Sequence, residues 1–288
     1  MDASIIVLTR DAGQNFANLL QCLFSQKFQG KYEVLIIDSG STDDTLAVAR
    51  SFPAKITGIK PQEFHHGRTR NLGAELANGR ILVYITQDAL PLNDNWLKKL
   101  TDDFNKPKVA MVNGRQIPWQ TTKPPEKFFY FYFFPNFKIV VNRNDSDYYR
   151  DNMFISNVNA AIRKDIWQQF RFSEDVLMGE DKEFAKRVLS AGWDIIYQPE
   201  AVVYHAHDFT LISLFKRCVQ GGISLRQGVA GLPRSRRPRV KKVLDYIYGE
   251  YKYLKATGRL KWLPYSILYD MTRYVGGFLG RTGLVRLK

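Results

Sequence analysis

The chain has little cysteine, no long apolar run and no basic leader. Cys22 and Cys218 are its two thiols in 288 residues. That is too few for a disulfide framework and points to a reducing compartment. No stretch reaches the ~18 uncharged apolar residues that a spanning helix needs. The first residues lead straight into an apolar strand, so no signal peptide is expected. No internal repeat is visible. Acidic residues are scarce in one place only. Residues 210–288 hold 17 Lys or Arg against 3 Asp or Glu, whereas residues 1–209 hold 25 of each. The formal charge of +14 therefore sits in the tail. Such asymmetry predicts an anionic surface as partner, either membrane or nucleic acid. The length suits one large domain, or a domain with an appendage, and allows a substantial core.

What is present begins with alternation. Residues 4–8 read as a short apolar strand, 16–24 as a helix by spacing, 32–37 and 54–59 as further strands. Ser41 or Thr42 can cap a helix whose first turn would hold Asp43 and Asp44. Residues 70–77 read as a helix closed by Asn78 and Gly79. Residues 81–85 form a continuous apolar run, as in a strand buried on both faces. Pro91 is expected to forbid further pairing. Strand alternating with helix predicts an α/β, doubly wound, mostly parallel sheet. Residues 106–150 carry five prolines and the aromatic run 128–134, and read as an irregular excursion, a lid or acceptor platform. Strand-like sequence resumes over 154–162. A helix over 181–191 ends at Gly192, and two short strands follow over 194–197 and 201–204.

Four acidic residues, Asp11, Asp38, Asp88 and Asp208, stand at strand ends. Each alone can be a turn residue or a cap. Parallel strands bring these ends to one edge, where open α/β sheets bind ligands. Asp88, after Thr86 and Gln87, is placed there to hold a divalent cation against a diphosphate. The segment from His65 to Gly73 offers Gly67 for a turn before a helix and Arg68 and Arg70 for an anion. It can equally be a solvated loop. Glu180 and Asp181 open a helix, as a general base or as favourable acids at its dipole. His205 and His207 share a face by alternation, either as packed imidazoles or as metal ligands.

In order, these pieces resemble family 2 glycosyltransferases with the GT-A fold. The matching segments are 5–9, 37–45, 69–73, Thr86-Gln87-Asp88, 179–181 and 199–205. Residues 64–71, 86–91, 114–118 and 179–185, with Ser156 and Asn157, are most similar to bacterial rhamnosyltransferases of O-antigen and polysaccharide assembly. The resemblance spans residues 3–210. It implies a Rossmann-like, mostly parallel central sheet with flanking helices over 1–209. A basic, mainly helical appendage would occupy 210–288.

The resemblance also implies roles. Thr9, Asp11 and Asp38 would line the nucleoside pocket, with Arg70 beside the base or diphosphate. Asn71, Gln87, Arg115 and Glu180 would complete the nucleotide-sugar site. Asp88 would hold Mg²⁺ or Mn²⁺, with His205 and His207 as further ligands, and Asp181 would be the catalytic base. Thr86 stands where the family's metal motif has its first Asp, so the motif keeps one carboxylate. The donor implied is dTDP-β-L-rhamnose, and the acceptor a polyprenyl-diphosphate-linked glycan. Another hexose or N-acetylhexosamine from a UDP donor, or a non-catalytic sugar-nucleotide-binding module, are the alternatives. The basic run from Arg234 to Lys242 precedes aromatic segments over 246–254 and 262–274. Their mixture suits an anionic membrane face, peripheral on the inner side of the cell membrane, in a cytoplasmic protein. A packed appendage with a solvated basic face is the plainer alternative, and nucleic acid is the least favoured partner.

Overall fold

Apolar β-branched runs separated by short polar turns build the first half as strict alternation. Its elements are β1 (Ala3–Thr9), α1 (Phe16–Phe24), β2 (Tyr32–Asp38), α2 (Thr45–Arg50), β3 (Lys55–Gly58), α3 (His66–Leu76) and β4 (Ile81–Thr86). Then come β5 (Leu90–Pro91), α4 (Trp96–Thr101), β6 (Val109–Ile117), α5 (Pro124–Phe133), β7 (Ile139–Val141) and β8 (Asn159–Arg163). α6 (Lys164–Phe170), α7 (Glu180–Ser190) and β9 (Asp194–Tyr204) complete the sheet region. Three helices close the chain: α8 (Leu211–Gly228), α9 (Arg239–Ala256) and α10 (Leu263–Thr282). The structure is a computed structural model and describes residues 1–142, 154–228 and 239–285. Most of the basic run from Arg234 to Lys242 lies outside the described residues.

The strands form one mixed sheet in the order β3-β2-β1-β4-β8-β6-β9-β5, with β7 also on β9. β1, β2, β3, β4, β6 and β9 run one way, and β5, β7 and β8 run against them. The expected α/β sheet is therefore present and mostly parallel. Alternation along each strand divides the core. Ile5, Val7, Ile36 and Val83 pack with α1 and α4 on one face. Ile6, Leu35, Leu82 and Tyr84 pack with α3, α5, α6 and α7 on the other. Parallel register sets Thr9 beside Asp38, and Leu8 beside Thr86. The carboxyl ends of β1, β2 and β4 thus share one edge.

Several local expectations change. Pro91 does pair, opposite Val203 on β9, because an edge strand needs no second amide donor there. Neither Ser41 nor Thr42 caps α2. Asp44 precedes it, and Asp43 holds its first amide through Thr45 N. Gly67 lies inside α3 rather than before it, where an added Cβ would collide with the carbonyl of Ser173. Within 106–142 the chain is regular, forming β6, α5 and β7. Pro124 and Pro125 start α5, since a first-turn proline gives up an amide that has no partner anyway. The strand expected over 154–162 starts only at Asn159. The two short strands are one, β9, with a register shift opposite Gly114 and Arg115.

The C-terminal helices pack onto α5. The Phe128 ring meets Tyr246 at 5.0 Å and Tyr253 at 5.7 Å, both on α9. From α10, Tyr269 Oη and Arg273 Nη2 each donate to Glu126 Oε2 at 2.6 Å. The Arg273 guanidinium also lies 3.9 Å over the Phe129 ring. Gly276 lets α10 approach α8, since a Cβ there would come within 2.9 Å of Cys218 Cβ.

Candidate active site

The turns after β1 and β2 are stitched together by their own polar residues. Asp38 is buried, and its Oδ2 accepts from the amides of Gly40 and Ser41, both at 3.0 Å. Its Oδ1 accepts from Thr9 Oγ1 at 3.2 Å and from Ser41 Oγ. Asp11 adopts φ 45°, a left-handed conformation that costs a non-glycine residue about 1 kcal/mol. Its Oδ1 accepts from Thr42 N at 2.7 Å, which ties the two turns together. Gln87 clamps the backbone of Arg10, accepting from N at 2.8 Å and donating to O at 3.0 Å. Thr9, Asp11, Asp38 and Gln87 therefore form one framed edge, with Asp11 and Gln87 toward solvent.

Just beyond β4, Asp88 meets two imidazoles that follow β9. Asp88 Oδ2 lies 3.7 Å from His205 Nε2 and 3.8 Å from His207 Nδ1. One ligating atom from each of the three falls within 4.8 Å of the others. Burial pushes the buried His205 down to about 4, against the attraction of Asp88, so its ring is neutral near neutral pH. Its Nδ1 faces Gln116 Oε1 at 2.9 Å. The proton on Nδ1 leaves the Nε2 lone pair aimed at Asp88 and His207. A second-ring hydrogen bond of this kind commonly orients a metal-binding imidazole. Burial alone would raise Asp88, but His205, Thr86 and His207 outweigh it and hold the carboxyl below its ordinary value. One carboxylate and two imidazoles fit a divalent ion such as Mn²⁺ better than Mg²⁺, which prefers oxygen. The histidines offer nitrogen ligands beside a motif in which Thr86 offers no carboxylate.

A second cluster joins α3 to α7. Arg70 Nη1 donates to the buried Glu180 Oε1 at 2.6 Å, and Asn157 Nδ2 donates to the same oxygen at 3.2 Å. Burial would raise Glu180, yet Arg70 and His66 hold it below the usual carboxylate range. His66 is pushed down to about 4 by burial and by Arg70. Asp181 is next in sequence, and its Oδ2 accepts from Asn157 N at 3.2 Å. Burial and the Glu180 charge push Asp181 above its ordinary value, the direction a general base needs. Asn157 Oδ1 is buried with no partner among the described residues, an open acceptor beside that base.

Two residues expected at the nucleotide-sugar site have structural partners. Asn71 is buried under α6. Its amide donates to Phe172 O and Glu174 Oε1 and accepts from Trp167 Nε1 and Phe172 N. That fills all four hydrogen-bonding positions, so Asn71 anchors α3 and has none left for a nucleotide. Arg115 Nε donates to Phe134 O at 3.1 Å, holding the end of α5.

Gln116 touches His205, Asn157 touches Glu180 and Asp181, and no sequence signal assigned a site role to these two or to Arg217. Arg217 is an exposed side chain of α8 whose Nη1 donates to the Met178 thioether, a weak acceptor. Its charge helps to lower His66, Lys182 and His205. A cavity of about 530 Å³ is lined by Asn15, Trp119, Gln120, Thr121 and Tyr204, the residue before His205. The Trp119 and Tyr204 rings stack in it at 5.0 Å.

Residues 4–170 match the family model described as glycosyl transferase family 2. The chain is 29% identical over 281 residues to the O-antigen chain rhamnosyltransferase WbaN of Salmonella anatum, covering 96% of this chain and 89% of that one. To RfbN of Salmonella typhimurium, also called an O-antigen chain rhamnosyltransferase, it is 27% identical over 285 residues, 98% of this chain and 90% of that one. Among solved structures, the mannosyltransferase PcManGT of Pyrobaculum calidifontis, in complex with GDP-Man and Mn²⁺, superposes with a TM-score of 0.64. It is 17% identical, and the match covers 99% of this chain and 88% of that one.

Proposed function

The chain belongs to glycosyl transferase family 2, with the GT-A fold, and from that premise we propose that it is an inverting rhamnosyltransferase. It would move L-rhamnose from dTDP-β-L-rhamnose to a hydroxyl of a polyprenyl-diphosphate-linked glycan. The convergence of Asp88, His205 and His207 at the carboxyl edge carries the transfer reading. The two Salmonella relatives, both O-antigen chain rhamnosyltransferases, support the sugar.

Asp181 takes the proton from the acceptor hydroxyl as its oxygen bonds to the anomeric carbon. The bond from that carbon to the diphosphate oxygen breaks on the opposite face, so a β-L donor gives an α-L product. A divalent ion held by Asp88, His205 and His207 would neutralise charge on the nucleotide diphosphate. Arg217 binds the departing diphosphate from the α8 side. Arg70 stays with Glu180, so that pair positions Asp181 rather than contacting phosphate. The framed turns of β1 and β2 receive the nucleoside, and the stacked Trp119 and Tyr204 offer an apolar wall to an acceptor sugar.

Donor choice is tested by thermal stabilisation with Mn²⁺ present. dTDP-rhamnose should stabilise the protein more than UDP-hexoses or UDP-N-acetylhexosamines, and the reverse order would favour a UDP donor. Asp181→Asn should cut transfer by roughly 10²–10⁴-fold while nucleotide binding persists. Near-normal turnover would overturn the base assignment.

A further inference from the structure

The outer side of the C-terminal layer is apolar and positively charged, and no described element covers it. On α10, Ile267, Met271, Tyr274 and Phe278 recur at helical spacing and are all exposed. On α9, Leu244, Tyr248 and Tyr251 form a similar exposed stripe. Leu244, Tyr248, Met271 and Tyr274 are each 59% exposed, far more than packing side chains. Lys241 and Lys255 extend the α9 stripe at its two ends, and Lys252 lies 4.3 Å over the Tyr248 ring. Both helices rest on α5 through their opposite faces, by Tyr246 and Tyr253 on α9 and by Tyr269 and Arg273 on α10. Each stripe therefore faces away from α5. Of the three acidic residues in the tail, Glu250 is buried and Asp270 half-buried, which leaves Asp245 as the exposed one.

We propose that α9 and α10 are a docking surface for an anionic lipid bilayer, lying flat with their apolar stripes in the interface and their lysines at the headgroups. Basic residues flanking an exposed Met, Tyr and Phe stripe are what an interfacial helix needs. The charge selects this occupant over a second copy, whose equally basic face would be repelled. A polynucleotide would satisfy the lysines but leave Met271 and Phe278 without an apolar partner. No helix among the described residues is long and apolar enough to cross a membrane, so contact is at the surface. The proposal goes beyond the transfer reading and stands without it.

Flotation of the full chain with vesicles tests it. The protein should float with phosphatidylcholine–phosphatidylglycerol vesicles and stay behind with phosphatidylcholine alone. Lys241→Gln, Lys252→Gln and Lys255→Gln should each lower partition by about five-fold. Met271→Asp with Phe278→Asp should abolish flotation while the melting temperature and nucleotide binding stay unchanged, because both side chains are exposed. Absence of flotation by folded protein would overturn the proposal. So would flotation that survives the double aspartate variant, or a lipid-free dimer that the same variant dissociates. Polynucleotide that displaces the vesicles and still binds the aspartate variant would assign the lysines to nucleic acid instead.

Discussion

At the scale of single residues, the candidate site was readable where chemistry and position coincide in a short segment. Asp88 after an apolar strand, and His205 and His207 two apart after another, announce themselves. Gln116 does not, because its partner is 89 residues away and its role exists only once β6 and β9 lie side by side. Asn71 misled for the converse reason: beside Arg70 it looks like a ligand contact, but the α3 turn aims it at Trp167. Gln116→Leu should free the His205 tautomer and weaken Mn²⁺ binding by about 10–100-fold in a metal titration. Asp88→Ala should weaken it more, since no second carboxylate stands in the motif. Arg217→Ala should reduce turnover by about 10²-fold if the guanidinium meets charge that grows on the diphosphate. An effect confined to the Michaelis constant would mean it binds the ground state only.

At the scale of elements, the first half followed from its pattern because strand and helix there are short, regular and locally specified. The stretch after β5 did not, because prolines carry two meanings. Pro124 and Pro125 look like breakers, yet they sit where a helix begins, and the aromatics behind them become α5. The junction of α9 and α10 holds a feature no pattern shows. Glu250 is buried beside Asp270, and burial together with that neighbour pushes it up to about 8, from an ordinary 4.5. Asp270 is raised as well, so the two acids share protons as a unit. A carboxyl whose native value is raised stays protonated in the fold after the unfolded chain has lost its proton. Its contribution is whole below about 4.5 and is lost as pH rises toward about 8. The melting temperature should therefore fall as pH is raised across that window. Glu250→Gln should flatten the fall and raise stability at the alkaline end, read by thermal melts across pH. An unchanged slope would show that Glu250 ionises normally.

At the scale of the whole molecule, the split in charge was plain in the sequence, but the join between the two parts was not. Glu126 and Arg273 are 147 residues apart, and nothing local marks them as a pair. α5 makes the join. Its Tyr130 hydroxyl reaches His205 Nδ1 at 3.4 Å on one side, and its Phe128, Phe129 and Glu126 carry α9 and α10 on the other. A helix that touches the His205 imidazole and also supports the basic layer would couple the proposed membrane face to the candidate site. One buried ion pair, Glu126 with Arg273, is part of the link, and removing one member leaves the other charge stranded. Arg273→Met should cost about 3–5 kcal/mol in chemical denaturation. It should also loosen α5 and so weaken Mn²⁺ binding, although Arg273 touches no candidate ligand. Glu126→Gln with Arg273→Met removes both charges together and should recover most of the stability. If the double variant regains stability without regaining metal affinity, α5 is held in register by the ion pair itself and not by the aromatic packing around it.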